Sequence, residues 1–526
     1  MKRTTPANLS PMKPLHLSIL SRDFSVKKIR GPGNPLILDL AYNSRLVKPG
    51  ALFFAIEGTH TDGHLYIREA VSKGAVGIVH SRDTQPIGPD ITYMQVEDTR
   101  LALSSASAGC YGDPSRDLTV IGVTGTDGKS TTVWFIQQLL EMLGERSGFI
   151  STVNLKTGTT MGKNPLRQST PEALEIQKFL AEIRKSKNDF AVLEATSHGL
   201  SDKTRRLAHV FFDVGVLTNV THEHLEFHRS LRQYRSDKAN LFRGLGRKGK
   251  NRPSFGVVNK DDPHHGLFIR ANPCPTFDYS MMDSSADLSA RDIRCGLRDS
   301  LFTLVMGEER AESRLSIPGS FNIGNLMAAV LTVCRLLSRR LEEAAPLIPR
   351  LTGVRGRMEA IDLGQSFHVI VDYAHTPGAF EKLFPLLKPA VTGKLITVFG
   401  SAGERDRKKR PAQGRIAGKY SDILVLTDED PRGEDPLKII KEIASGCQGR
   451  EKGRSLFLEP DRRKAIGMAL EMAGPGDMVL CLGKGHEESI IYADGPIEWN
   501  EAEITRELLR NLLGTKYFKA DDTVST

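Results

Sequence analysis

The chain has 526 residues, more than one hydrophobic core usually serves, so about two to four domains are expected. Hydrophobic residues make up 39% and charged residues 26%, and no apolar run of the ~18 residues needed to span a bilayer is read, so membrane insertion is not expected. The net charge of +9 admits nucleic acid, but the densest basic run, RDRKKR at 405–410, lacks an accompanying nucleic-acid motif and is expected to be a solvated loop or a small anion site.

The first residues, MKRTTPANLSPMKPLHLSIL, are basic but broken by polar residues and prolines, unlike a secretory leader. Six cysteines (Cys110, Cys274, Cys295, Cys334, Cys447, Cys481) form no CxxC pair, which argues against a disulfide framework or structural zinc. A cytoplasmic protein is expected.

Short β-rich runs alternate with helical patterns, the mark of α/β units. In chain order, strands are expected at 118–123, 190–195, 214–220, 255–259, 368–374, 394–400, 422–427 and 477–483, with helices at 131–143, 171–185 and 325–337. Boundaries near Gly112-Asp113-Pro114 and Gly353–Gly356 give three expected domains, 1–112, 113–355 and 356–526.

The segment GVTGTDGKSTTVWF (122–135) follows a strand and opens a helix through Phe135 and Leu139. Glycines let backbone N–H groups approach phosphate oxygens, and the helix N-terminus adds the positive end of its dipole. A lysine there reaches the outer phosphates and a serine hydroxyl ligates magnesium. Gly125, Thr126, Asp127, Gly128, Lys129, Ser130 and Thr131 are therefore the expected triphosphate contacts. The general GxxxxGK[ST] pattern fails at Val123, which takes the first glycine's place, but the compact GTxGK[ST] form remains.

Glu194 ends FAVLEA, where strands of open α/β sheets expose their site residues. His224 lies beyond VGVLTNV within THEHLEFH, a run that also admits a zinc reading, against which stands the absence of a nearby cysteine. Lys238 follows in YRSDKANLF; alone it would be a surface lysine.

Together these segments resemble the Mur ligase family of ATP-dependent amide-forming enzymes. The family carries GTxGK[ST], a strand-end Glu, TN-x-T-x-x-H and Y-x-x-x-K-x-x-LF in this order, matched by Gly125 to Ser130, Glu194, Thr218 to His224 and Tyr234 to Phe242. PGSFNIGN (318–325), GRME (356–359), VDYAHTP (371–377) and VFGSAGERDRKKRP (398–411) add to the match. Within the family, NSRLVKPGALFFAIEGTHTDGH (43–64), STPEALE (169–175), EATSHGLS (194–201), DEDPRGEDP (428–436) and GKGHE (483–487) are similar to the branch that extends UDP-N-acetylmuramoyl-L-alanyl-D-glutamate.

The resemblance implies an α/β protein with an N-terminal UDP-binding domain, a central P-loop ATPase domain with a parallel sheet and a C-terminal Rossmann-like domain. It implies that ATP phosphorylates the D-Glu carboxylate and that an amino acid's amine then attacks the acyl phosphate, in peptidoglycan precursor synthesis. By the same resemblance Ser130 and Glu194 hold one Mg²⁺, His224 helps hold a second, and Lys238 is N-carbamylated. Asn322, Asn325, Arg357 and Asp372 match nucleotide-side positions. Ser44, His60, Ser169, Thr170, Thr196 and Arg206 match contacts to the UDP-sugar peptide, with Arg205 an alternative to Arg206.

Family members for meso-diaminopimelate typically carry DNPR, where this chain has Glu429-Asp430-Pro431-Arg432. The added acids favour the free side-chain ammonium of L-lysine or L-ornithine, whereas pairing of those acids within the chain would leave diaminopimelate acceptable. Arg405, Gly483 and Glu487 match positions that grip the amino acid's common end. A monomer is expected, with no nucleic-acid partner. The competing readings are another ligase of the superfamily and a non-catalytic nucleotide-binding regulator; Lys129, Glu194, His224 and Lys238 together weigh against the regulator.

Overall fold

A computed structural model describes residues 12–521 except 23, 59–60, 167, 222–224, 229 and 248–251. The chain forms two compact units, one of Met1–Ala290, Val305–Arg310 and Gly324–Leu347, the other of Arg291–Leu304, Ala311–Ile323 and Ile348–Thr526.

The first unit begins with strands β1 (Val26–Arg30), β2 (Asp39–Ala41), β3 (Ala51–Phe54), β4 (Ala75–His80) and β5 (Thr92–Val96), followed by helix α1 (Thr99–Cys110). Their sheet order is β1-β5-β4-β3-β2, parallel except for β1. Asp98 caps α1 by accepting from the amides of Arg100 and Leu101. The helix packs Leu103, Ala106 and Cys110 into one cluster with Leu52, Phe54 and Met94.

Next come β6 (Thr119–Thr124), α2 (Lys129–Met142), β7 (Ser147–Ile150), α3 (Ala173–Lys185), β8 (Phe190–Glu194), β9 (Val214–Leu217), α4 (Leu231–Arg243), β10 (Phe255–Asn259) and β11 (Thr276–Ser280). They give a parallel run ordered β7-β8-β6-β9-β10-β11. Parallel strands need both faces covered, and the fully buried Val120, Val192, Val216 and Val257 reflect that. Register pairs Glu194 with Val123 and Leu217 with Thr124, so β8, β6 and β9 end side by side.

Helix α5 (Ser320–Leu337) corrects one expectation: by length and composition alone it suffices to cross a membrane. Leu326, Met327, Ala329, Val330 and Leu331 are 0% exposed, because the helix supplies core to the fold.

The second unit carries β12 (His368–Asp372), β13 (Leu395–Phe399), α6 (Lys409–Tyr420), β14 (Ile423–Leu426), β15 (Leu456–Leu458), α7 (Arg462–Met472), β16 (Met478–Leu482) and α8 (Glu501–Asp521). The strands run parallel in the order β12-β16-β13-β14-β15. Arg462, 0% exposed, pairs with Glu501 at 2.5 Å and donates to the carbonyls of Asp428 and Leu482, tying the ends of β14 and β16 together.

The expected strands form, 255–259 with the forecast ends and the others with shifted ones, and two of the shifts have visible causes. β9 stops at Leu217 because Thr218 and Asn219 turn away: the Thr218 hydroxyl donates to the Asp127 carbonyl, and the Asn219 carbonyl accepts from the Thr126 amide. β12 stops at Asp372, whose carboxylate accepts the amide of Ala374.

Candidate active site

Between β6 and α2 the chain turns on Gly125 (φ 151°) and Gly128 (φ 82°). A Cβ on Gly125 would lie 1.9 Å from the Thr218 hydroxyl, and one on Gly128 would lie 2.1 Å from Asn325 Oδ1, so neither position accepts a side chain. α1, α4 and α7 have side-chain N-caps from Asp98, Ser230 and Asp461; α2 begins at Gly128 with none. α3 and α6 also begin without one, so what sets α2 apart is the glycine turn before it, the arrangement that suits an anion at a helix start. The amides of Thr126 and Asp127 are instead used by Asn219, which holds the loop from the β9 side. Lys129 Nζ lies over the loop, donating to the carbonyls of Gly125 (3.0 Å) and Thr126 (2.6 Å). Ser130 and Thr131 follow on the buried first turn of α2.

At the end of β8, Glu194 is 2% exposed and accepts from Ser130 Oγ at 2.6 Å and the Thr152 amide at 2.8 Å. The Thr152 hydroxyl lies 3.0 Å from Glu194 Oε2 and 2.6 Å from Ser169 Oγ. Thr170 Oγ1 donates to the Glu194 carbonyl and accepts from the amide and hydroxyl of Thr196. Arg206 donates to the Thr170 carbonyl and to Glu172, whereas Arg205 pairs with Asp202 and Asp98. Of the two arginines, Arg206 is thus the one joined to the Thr170–Glu194 cluster.

Lys238, 1% exposed on α4, places Nζ 2.5 Å from the Gly125 carbonyl and 4.4 Å from the Tyr234 ring centroid. The Tyr234 hydroxyl is 3.0 Å from Thr126 Oγ1. Ser130, Glu194, Lys129 and Lys238 therefore meet around one loop. His224 and His60 lie outside the described residues. Ser44 belongs to the β1–β5 sheet region, its hydroxyl donating to Glu69 at 2.7 Å. Asn325 faces the loop at Gly128, and Asn322 donates to the Pro318 carbonyl.

A second cluster forms at strand ends in the second unit. Asp430 accepts from Lys484 Nζ at 2.8 Å and from the Ile491 amide at 3.0 Å; Lys484 is 0% exposed and also donates to Glu487 at 2.5 Å. Asp430 is thereby neutralised from within the chain. Glu429 is 6% exposed, and its Oε2, beside Gly483, has no hydrogen-bond partner among the described residues. Arg432 sits at φ 55°, pinned by its amide to the Ile491 carbonyl, and its Nε is also buried without a partner among the described residues. The Asp430–Pro431 turn is held by the Gly403 amide on the Asp430 carbonyl, while Arg405 is exposed. Asp372 is raised above the usual carboxylate range by burial, partly offset by Arg357, whose guanidinium lies 4.5 Å from the Tyr373 ring. Burial, then Arg357 and Arg355, push His486 down to about 3, so its imidazole is neutral at pH 7.

The family model of the Mur ligase middle domain matches residues 123–333, that of the Mur ligase family catalytic domain 37–109, and that of the Mur ligase glutamate ligase domain 356–485. A UDP-N-acetylmuramyl-tripeptide synthetase of Roseiflexus sp. (strain RS-1) is 46% identical over 491 residues, 91% of this chain and 96% of that protein. The chain is a Mur ligase. This Mur ligase is also similar to a UDP-N-acetylmuramoyl-L-alanyl-D-glutamate--2,6-diaminopimelate ligase of Syntrophomonas wolfei, at 38% identity over 93% of this chain and 98% of that protein. A solved structure of a ligase of that same name aligns with a TM-score of 0.63 at 28% identity, over 91% of this chain and 95% of that one. The MurF ligase from Thermotoga maritima in complex with ADP, 19% identical, shares the fold with a TM-score of 0.62, over 91% of this chain and 98% of that one. The protein is thus an ATP-binding enzyme that forms carbon–nitrogen bonds in peptidoglycan synthesis.

The motifs of this Mur ligase left several participants unread. Thr152, which grips Glu194 through both amide and hydroxyl, stands in no motif of its own. Lys484 was inside the quoted GKGHE, yet nothing in that string says that it reaches Asp430. His228 closes the quoted THEHLEFH and is buried against Asp237.

Proposed function

We propose that this Mur ligase phosphorylates the D-Glu carboxylate of UDP-N-acetylmuramoyl-L-alanyl-D-glutamate with ATP and joins the resulting acyl phosphate to the amine of a diamino acid. The observation that carries the reading is the 2.6 Å contact of Ser130 with Glu194 beside a loop that also gathers Lys129 and Lys238. A carboxylate resists amines because its leaving group is poor; an acyl phosphate supplies a good one.

The α2 amides and Lys129 hold the triphosphate, and Lys129 follows the charge that builds on the transferred phosphoryl group. Among the described residues no group of three or more His, Cys, Asp or Glu forms a metal site. Ser130 and Glu194 are hard oxygen donors, and Mg²⁺ held by one or two protein oxygens with phosphate oxygens and water fits them. Such an ion would shield triphosphate from carboxylate, a repulsion of several kcal/mol at close range. Lys238 is read as carbamylated: the modification turns a buried cation next to that site into a carboxylate-like ligand, and His224 is read as a further ligand. Thr170, Thr196, Ser169 and Arg206 orient the UDP-sugar peptide, with Ser44 and His60 towards its nucleotide end. Arg357, Asp372, Asn322 and Asn325 serve the nucleotide.

The family models fall one in each of the domains 1–112, 113–355 and 356–526, which supports that division. A cytoplasmic site suits soluble nucleotide substrates. For the amino acid we keep L-lysine or L-ornithine first, on altered grounds: Asp430 is spent on Lys484, and Glu429 carries the unpaired oxygen suited to an ammonium. Arg432 with its unpaired Nε favours the second reading, meso-diaminopimelate, since a guanidinium suits a carboxylate. Glu487 and Gly483 hold the common end, with Arg405.

Phosphate release from ATP and Mg²⁺ with the UDP-dipeptide, in parallel wells of L-lysine, L-ornithine and meso-diaminopimelate, tests this. Release with one of them supports the ligase and names the substrate. Release with none, in protein that still binds ATP, would refute this substrate assignment.

A further inference from the structure

A second polar network stands between β8 and α4. His228, 1% exposed, lies with Nδ1 2.7 Å from Asp237 Oδ2 and Nε2 3.0 Å from Ser197 Oγ. Gln233 donates to the other Asp237 oxygen at 2.8 Å. Phe227 and Tyr234 pack edge-on to the imidazole, at 4.7 and 5.1 Å between centroids. The order Ser–His–Asp resembles a hydrolytic triad, but Ser197 is 2% exposed and in the buried turn Ser197–Leu200, so it is not presented to a substrate.

What the network joins is more telling. Ser197 stands just past Glu194, and Asp237 directly precedes Lys238. On α4, Tyr234 and Lys238 are i and i+4 and share the face that meets the phosphate loop, through Thr126 Oγ1 and the Gly125 carbonyl. Asp237 leaves the same helix towards His228. The helix is thus fastened to the loop and, on another side, to the segment that follows the strand-end carboxylate: through His228 to Ser197, and directly by Asn240 on the Leu200 carbonyl at 2.9 Å and by the Asp237–Ser201 hydrogen bond.

We infer that His228 is a positioning residue of the ligase reaction, bridging Asp237 and Ser197 so that Lys238 and Glu194 keep a fixed separation. The inference rests on the roles of Lys238 and Glu194 proposed above. Misplacing a reacting group by about 1 Å costs on the order of 10²-fold in rate, and a packed imidazole bonded on both sides resists such a shift.

The test uses the full chain in the phosphate-release assay, with the amino acid that supports turnover. His228→Ala is expected to lower kcat about tenfold or more while KM for ATP stays within about threefold. His228→Gln, able to keep one of the two bonds, should recover part of the loss. Adding His228→Ala to Lys238→Ala should cost little beyond Lys238→Ala alone, because both remove one function. A purely structural histidine would instead multiply its loss onto that of Lys238→Ala, and that result overturns the inference, as does an unchanged kcat. Should His228→Ala fail to fold, Ser197→Ala must lower kcat about threefold or more at unchanged KM; wild-type kcat there overturns it equally. Loss of activity in Lys238→Ala with full activity in His228→Ala defeats this inference alone. Full activity in Lys238→Ala defeats the proposed role of Lys238 as well.

Discussion

The two strand-end clusters of this Mur ligase are built on similar parallel sheets by opposite means. At β8, β6 and β9 the chain uses glycines, hydroxyls and backbone amides, and the charged groups converge on one short loop. At β12, β16 and β14 it uses whole ion pairs, Asp430–Lys484–Glu487 and Arg462–Glu501, and leaves Glu429 Oε2 and Arg432 Nε unpaired. On the function proposed above the first cluster holds phosphate, which is nearly the same in every nucleotide, so a generic backbone cradle would serve it. On that same function the second cluster must tell one amino-acid side chain from its neighbours, and that calls for buried charges whose own partners are rationed.

The largest expected effect tests whether the second cluster truly depends on its internal pairs. Arg462→Ala leaves Glu501 buried and releases the carbonyls of Asp428 and Leu482, a loss of about 3–5 kcal/mol. Thermal unfolding should show a clearly lowered transition; a change below about 1 kcal/mol would mean that the pair is not what holds these strand ends.

Lys129→Ala probes the first cluster, where the charge acts on chemistry rather than on folding. Its ammonium rests only on loop carbonyls among its described contacts, so stability should hold while kcat falls about 10²- to 10³-fold, equivalent to about 3–4 kcal/mol. A matching loss of thermal stability would place Lys129 with the structural ions and erase the contrast drawn here.

This division also explains what the sequence made legible. The phosphate loop is contiguous from Gly125 to Ser130, its flanking strand and helix are periodic, and the expected strands of both units form within a few residues of their forecast ends. The Asp430 carboxylate, by contrast, looked available for a substrate ammonium because its partner stands 54 residues away along the chain. Thr152 reaches Glu194 across 42 residues in the same way. Pairings made by tertiary folding leave no local period or spacing; the strands of the N-terminal sheet were likewise unread, even β3, which lies inside the motif at 43–64.

Glu429→Gln sharpens the comparison within the second cluster. If Glu429 is the rationed charge, its neutral amide should raise KM for a basic amino acid about 30- to 100-fold, some 2–3 kcal/mol, with KM for ATP unmoved. Equal changes for both substrates would mean a general disturbance of the second unit.

The smallest effect concerns the acid next to it. Asp428 is buried, and although Tyr492 donates to it and Arg462 lies near, burial dominates and raises its carboxyl to about 6, from 3.8. Between about pH 4 and 6 the folded protein therefore binds the proton more readily than the unfolded chain, and stability falls as pH rises through that window. Above about pH 6 the full cost is present; below about pH 4 it is absent. A shift of this size caps the cost at about 3 kcal/mol, and Asp428→Asn, which still accepts from Tyr492, should return about 1–2 kcal/mol at neutral pH and nothing near pH 4. Thermal unfolding of wild type and variant across that range checks the sign. A gain that is the same at both ends would trace to packing, and a loss at neutral pH would show that Asp428 is held ionised by Arg462, as one more paired charge of this cluster.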